Sequence, residues 1–378
     1  NLLNPDVVCW GTLMIGYMQH GHVAVVLDLF LAMQEAGVSP DRAIFLCVLK
    51  VCSILENIQV ARLLHLQIIE CALEKDVIIV TALINTYGKC GTLIDGHKLL
   101  EEIQTSNEVP CVSMFSSYIQ HGHELPALKL FESMKDKGMK PGITTFLCIL
   151  KACTNIGALQ QGRVIHDGII KGELEKECFI GNTLIDMYAK CGSLKEAHNV
   201  FDRVGKPDII SWSAIVAAYA SHGVWDMAIQ LIKSMEIYGV KPDDPLFLSI
   251  LSACSQNGLL DEGFSNFVQM KREHGLAPRI DHFNCVIDIL GRRGHLNEAE
   301  DTLRTMPIEP NLVGWVSLLT GCGLYGNKLL GGECFGEIKH LDCDNASGYM
   351  LLSKLCSGLH QNDEISELTD HMQLMESA

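Results

Sequence analysis

ALINTYGKCGTL, Ala82–Leu93, returns 101 residues later as TLIDMYAKCGSL at Thr183–Leu194, and more loosely as CVIDILGRRGHL at Cys285–Leu296. CVLKVC at Cys47–Cys52 takes the same 101-residue step to CILKAC at Cys148–Cys153 and to SILSAC at Ser249–Cys254. A fixed period of this kind marks a repeat architecture and has to be found before any local reading of helix or strand. Three shorter units fill each long period. Their borders are read at 7–41, 42–76, 77–107, 108–142, 143–177, 178–208, 209–243, 244–279 and 280–311, with lengths cycling near 35, 35 and 31.

A unit of this size holds two helices. In 178–208, Leu194, Ala197, Phe201 and Val204 recur at helical spacing and form the apolar stripe of the second. Gly192 suits the chain reversal before it, and Ser193 with Glu196 has capping-box spacing. Longer units close on GVSPD, GMKPG, GVKPD or GLAPR, where Gly admits a left-handed C-cap and Pro forbids continuation. No single unit can bury its own apolar faces, so neighbours must stack. The expected fold is all-α: a right-handed superhelical α-solenoid of stacked helix-turn-helix repeats, with binding on a surface lined by one helix of each. Residues 1–6 read as the remnant of a preceding repeat, and 312–378 as a helical appendage without the same terminators. A true start upstream, with any targeting peptide, is expected to be missing.

Nearly half of the 378 residues are apolar, which supplies ample core material. The chain has no run of about twenty uncharged apolar residues, so no membrane contact is expected. Sixteen cysteines are scattered without a CxxC pair, and Cys52, Cys153 and Cys254 recur at equivalent places, as do Cys90 and Cys191. That is the behaviour of small buried residues in a reduced protein. No metal and no cofactor are expected, since His20, His121 and His222 read as turn or surface residues and no HExxH pair occurs. Trp10 and Trp212, also equivalent, read as packing residues. The glycine run Gly321, Gly323 and Gly326 follows a helical stretch, with no strand before it, and is not a nucleotide loop. A net charge of −16 excludes binding of nucleic acid by bulk positive potential. Any such binding must rest on locally placed cations.

The first helices of the short units carry a polar stripe at i, i+4 and i+8: Thr81, Asn85, Lys89; Asn182, Asp186, Lys190; Asn284, Asp288, Arg292. These spacings share one helical face, whereas Leu184 and Tyr188 lie on the core face, so the stripe is expected to be exposed. Lys89, Lys190 and Arg292 can neutralise phosphates, while the amide or hydroxyl two turns away can reach a base edge.

The 35/35/31 cycle, with LIDMYAKCGSLKEAHNVFD and GVKPD inside it, resembles the PLS subclass of plant pentatricopeptide repeat proteins. The tail resembles that family's E motifs. The resemblance implies a mitochondrial or chloroplast location, single-stranded RNA bound one nucleotide per repeat, and site recognition for C-to-U editing. A DYW-type deaminase would then act in trans, with small accessory editing factors meeting 312–372. A built-in deaminase would need HxE and PCxxC zinc motifs; neither occurs in the sequence, so no enzyme activity is expected. The alternatives are an organellar RNA stability, splicing or translation factor, and a protein-binding solenoid.

By the same resemblance, the fifth and last residues of each repeat read the base. Thr81 with Asn107 matches the adenine pair, Asn182 with Asp208 uracil, and Ser213 with Asp243 guanine; Asn284 with Asn311 suggests a pyrimidine, favouring cytosine. Val8, Ile78 and Ile210, in second place, match the residues that sandwich each base. Gly11 with Asp41 and Val112 with Gly142 match no readable pair, and Leu46, Leu147 and Leu248 make weak readers. The implied target is 5′-NNANNUGNY-3′.

Overall fold

The computed structural model describes residues 6–103, 107–174 and 177–356. Among them lie twenty-one α-helices and no strand. The chain divides into two compact units, Asn1–Ser193 and Leu194–Ala378.

The first unit holds α1 (Val7–Gln19), α2 (Val23–Glu35), α3 (Arg42–Leu55), α4 (Ile58–Glu70), α5 (Val77–Lys89) and α6 (Leu93–Glu102). It continues with α7 (Val109–Gln120), α8 (Glu124–Asp136), α9 (Ile143–Ile156), α10 (Leu159–Lys171) and α11 (Cys178–Lys190). Its odd-numbered helices pack one on the next from α1 to α11, and each even-numbered helix lies against the two odd ones that flank it. The second unit holds α12 (Leu194–Arg203), α13 (Ile209–Ser221), α14 (Trp225–Ile237), α15 (Asp244–Asn257) and α16 (Leu260–Arg272). After them come α17 (Ile280–Arg293), α18 (Leu296–Thr305), α19 (Leu312–Tyr325), α20 (Lys328–Leu341) and α21 (Ala346–Cys356). There α13, α15, α17, α19 and α21 stack in the same way.

Capping decides where the first helices begin. Asp6, Asp41, Asp76, Asp208, Asp243 and Asn311 are N-caps whose side-chain oxygens accept from backbone N–H groups two or three residues on. Gly91 and Gly192, with φ of 75° and 81°, reverse the chain between the helices of a short unit, a conformation other residues adopt only with strain.

The cores are continuous with the repeat pattern. Leu184 and Tyr188 are buried, and Cys52, Cys153 and Cys254 are fully so, with burial pushing each thiol up to about 12. Trp212 packs edge-on against Phe201 at 4.7 Å. The glycine run belongs to α19 and its C-cap: a Cβ on Gly321 would stand 2.8 Å from the Gly291 Cα, so the pair lets α17 and α19 touch backbone to backbone.

His20, His121 and His222 are exposed at turns, as read, while other histidines depart from the surface reading. The three are helix C-caps whose Nδ1 lies 2.8–2.9 Å from the carbonyl oxygen four residues earlier. His282 is fully buried. Four others form rungs between successive helix pairs: His65–Tyr87, His97–Tyr118, His166–Tyr188 and His198–Tyr219, with Nδ1 2.9–3.2 Å from the phenol oxygen.

Candidate nucleic-acid interface

The N-terminal corners of the first helices repeat a pattern in a short span. At Asp41, Asp76, Asp208, Asp243 and Asn311 the last residue of one unit caps the next helix, whereas Gly142 and Glu177 make no side-chain cap. The residue in second place of a unit is exposed, and the fifth-place residues Thr81, Asn182, Ser213 and Asn284 are half-buried or buried.

The four last-place residues read for base recognition all accept from the start of the next helix, Asp208, Asp243 and Asn311 as N-caps and Asn107 from the place before the N-cap Glu108. The side-chain Oδ1 atoms of Asn107, Asp208, Asp243 and Asn311 accept from the backbone N–H groups of Val109, Ser211, Leu246 and Gly314 at 2.8–3.1 Å. In the second place, Val8 is 66% exposed and Ile78 and Ile210 are 55% exposed. Val109 and Phe179 occupy the same place and are exposed as well, the latter at 71%. Sequence reading passed over both, although their positions in the repeat would have located them.

The fifth-place residues differ among themselves. Thr81 is half-buried and its hydroxyl donates to the Val77 carbonyl at 2.6 Å. Asn182 is half-buried. The Ser213 hydroxyl is buried with no hydrogen-bond partner. Asn284 departs from the exposed stripe: it is 7% exposed, with Oδ1 unpartnered. The reason lies one unit further on, where Gly314 leaves space at the start of α19 for the Asn284 amide; a Cβ there would come within 3.0 Å of Oδ1.

The cations at the far end of the stripe are exposed and engaged. Lys89 donates to Gln120 Oε1 at 3.0 Å, Lys190 pairs with Asp186 at 2.8 Å, and Arg292 pairs with Asp288 at 2.8 Å. Two of the three thus meet a carboxylate one turn earlier on their own helix, which lowers their local potential. Among the described residues no group of three His, Cys, Asp or Glu side chains could hold a metal ion, and no helix is long and apolar enough to cross a membrane.

A second device at these corners had escaped the sequence reading. The first residue of a unit reaches the cap of the next first helix: Arg42 pairs with Asp76, and Asp244 with Arg279. At Gly142, where the cap has no side chain, Glu108 supplies it: Gly142 N–H and the Thr145 hydroxyl both donate to Glu108 Oε2 at 2.7 Å.

The PPR repeat model matches residues 8–38, 78–107, 182–206, 210–240 and 281–308, and the pentatricopeptide repeat domain model matches 98–156 and 230–293. Together they span more than half of the chain. This chain belongs to the pentatricopeptide repeat family. Among plant members it is similar to Arabidopsis thaliana pentatricopeptide repeat-containing protein At5g40410, mitochondrial, at 32% identity over 93% of this chain and 58% of the relative. It is also similar to At2g33680 of the same plant, at 32% identity over 97% of this chain and 50% of the relative. The chain thus spans about half the length of these relatives. In structure it resembles the crystallised pentatricopeptide repeat protein PPR10 from maize, at a TM-score of 0.61 and 18% identity, over 99% of this chain and 59% of that one. PPR10 in complex with an 18-nt psaJ RNA element gives a TM-score of 0.68 over 93% of this chain and 53% of that one. These likenesses identify the fold as the helical solenoid of that family.

Proposed function

We propose that this pentatricopeptide repeat protein is a sequence-selective reader of single-stranded RNA in a plant organelle, mitochondrion or chloroplast, and serves as a site-recognition factor for C-to-U editing. The deaminase would be a separate protein, met with its accessory factors by the segment 312–372, of which 357–372 lie outside the described residues. The 35/35/31 cycle supports nine repeats over 7–311 and a place in the PLS subclass with E motifs.

The observation that carries the reading is the repeated corner: a capping carboxylate or amide, an exposed apolar side chain two residues on, and a polar fifth residue. An exposed apolar side chain offers a base a flat contact without regard to its identity, and the polar residues select among edges. The Thr81 hydroxyl has spent its proton on Val77, so it meets a base as an acceptor, which suits the adenine amino group. Asn284 is buried where it stands, so it reaches the edge of a pyrimidine only if its side chain turns out from beside Gly314. The RNA-bound state of the maize protein of the same fold supports the reading.

The test is titration of the whole chain with RNA containing 5′-ANNUGNY-3′ against a copy with A, U and G scrambled, at two salt concentrations. Preference for the first, partly reversed by Asn182→Ser, is the expected result. Equal or absent binding favours a protein-binding solenoid. RNA preference combined with normal editing in a loss-of-function line favours a role in RNA stability, splicing or translation.

A further inference from the structure

We propose that the first helix pair of the tail is a tenth RNA-contacting unit, which holds one nucleotide beyond the ninth repeat against Val313 without regard to base identity. The inference rests on the RNA reading above.

Four observations in the second unit place the pair in register with the repeats before it. First, α19 packs on α17 as α17 packs on α15, and α20 lies between α19 and α21 as α16 lies between α15 and α17. Second, α19 starts at a capping Asn311 and ends at Gly326 with φ of 69°, as α15 starts at a capping Asp243 and ends at Gly258 with φ of 65°. Third, Asn345 stands 34 residues after Asn311 and caps α21, its Oδ1 accepting from Gly348 N–H at 2.9 Å. The tail therefore contains one more full unit between two caps, where terminator motifs alone indicated a change of pattern. Fourth, Val313 follows Asn311 by two residues and is 54% exposed, as Ile210 follows Asp208.

The chemistry of this unit differs in one respect. Its fifth residue is Val316, which has no hydrogen-bonding group, and Leu324 stands where Arg292 stands in the ninth repeat. Neither base edge nor phosphate has a polar partner at these two places. What remains is apolar contact with the face of a base, which every base offers.

The experiment compares the whole chain's affinity for RNA ending at the pyrimidine of 5′-NNANNUGNY-3′ with its affinity for the same RNA extended by one 3′ nucleotide. The added nucleotide carries each of the four bases in turn, or is abasic. The expected gain is about fivefold for all four bases, at the low end of base stacking because valine offers less surface than an aromatic ring. No gain is expected for the abasic residue. In Val313→Asp the ratio of extended to unextended affinity falls to about one, and in Val313→Ile it is retained. A ratio of one in the unmodified chain, a gain that the abasic residue reproduces, or a gain unaffected by Val313→Asp overturns the inference. Binding of the unextended RNA in the same titrations keeps the RNA-reading proposal standing in each of those cases, whereas absence of any binding overturns both.

Discussion

The Nδ1 atom of His65 lies 2.9 Å from the Tyr87 hydroxyl, and 101 residues later His166 stands at the same 2.9 Å from Tyr188. Each rung ties a second helix to the first helix of the next pair, so repeat joins repeat through a polar contact as well as an apolar face. The rung is partly dry. Burial holds His65 below the ordinary histidine value and pushes Tyr87 up to about 12.

The first prediction concerns this rung. Tyr87→Phe leaves His65 Nδ1 without its partner and should cost about 1–2 kcal/mol in thermal or urea unfolding. Tyr17→Phe, at an exposed position, should stay within about 0.5 kcal/mol. Equal effects of the two would remove the rung as a stabilising contact.

A second prediction follows from the signs. Because the folded state disfavours protonated His65, stability is fully present above about pH 6.5 and falls as pH drops through the lowered folded value. Tyr87 acts in the opposite direction: its folded value is raised, so the neutral phenol's stability is present below about pH 10 and is lost as pH rises toward 12. Melting midpoints should decline on both sides of neutrality, and Tyr87→Phe should flatten the alkaline limb. An unchanged alkaline limb in that variant would sink the assignment.

The third prediction concerns helix crossing. Gly321→Ala places a methyl group against the Gly291 backbone and should cost about 1–3 kcal/mol, because backbone cannot yield as a side chain can. Gly323→Ala sits two residues away with open space around it, and should be neutral or stabilising by up to about 1 kcal/mol through helix propensity. If both substitutions stabilise, the close approach of α17 and α19 is wrong.

The fourth prediction is a double-mutant cycle at the substitute cap. Glu108→Ala should cost about 1–3 kcal/mol, since it strips acceptors from Gly142 N–H and the buried Thr145. Gly142→Asp alone should also destabilise, because its Cβ collides with the Glu108 carboxylate and adds a like charge. The combination restores the capping used at Asp41 and Asp243, and should lie close to the unmodified protein. Additive losses would show that Glu108 does not stand in for the cap.

The helix pairs were legible in the sequence because ALINTYGKCGTL and TLIDMYAKCGSL carry period, core face and chain reversal in one short stretch. The capping role of Asp208 and Asp243 was legible in principle from PD before an apolar run, yet the last-place residues were read for base recognition alone. The burial of Asn284 was not legible, because it depends on Gly314, which lies beyond the boundary of its own unit. The histidine rungs escaped for a related reason. His65 and Tyr87 lie 22 residues apart on different helices, and the periodicity of one helix says nothing about what faces it from the next. The partnership of Lys190 with Asp186 was visible as an i, i+4 pair, and its consequence is a weaker phosphate site than the bare cation implied.

That consequence sets the last prediction. Lys89 meets the neutral Gln120 amide, whereas Lys190 and Arg292 are each paired with an aspartate, so the three cations are unequal before any RNA arrives. A phosphate binding at Lys190 must compete with Asp186, while one at Lys89 releases only a neutral acceptor. In titrations of the predicted RNA across a KCl series, Lys89→Gln should reduce the slope of log affinity against log salt by about 0.7, the release expected for one phosphate of a single strand. Lys190→Gln should change it less. Asp186→Asn should tighten binding and steepen the slope, since it frees Lys190 without altering helix length or packing. Equal effects of Lys89→Gln and Lys190→Gln, or no gain from Asp186→Asn, would show that these cations do not meet phosphate in the order their pairing sets.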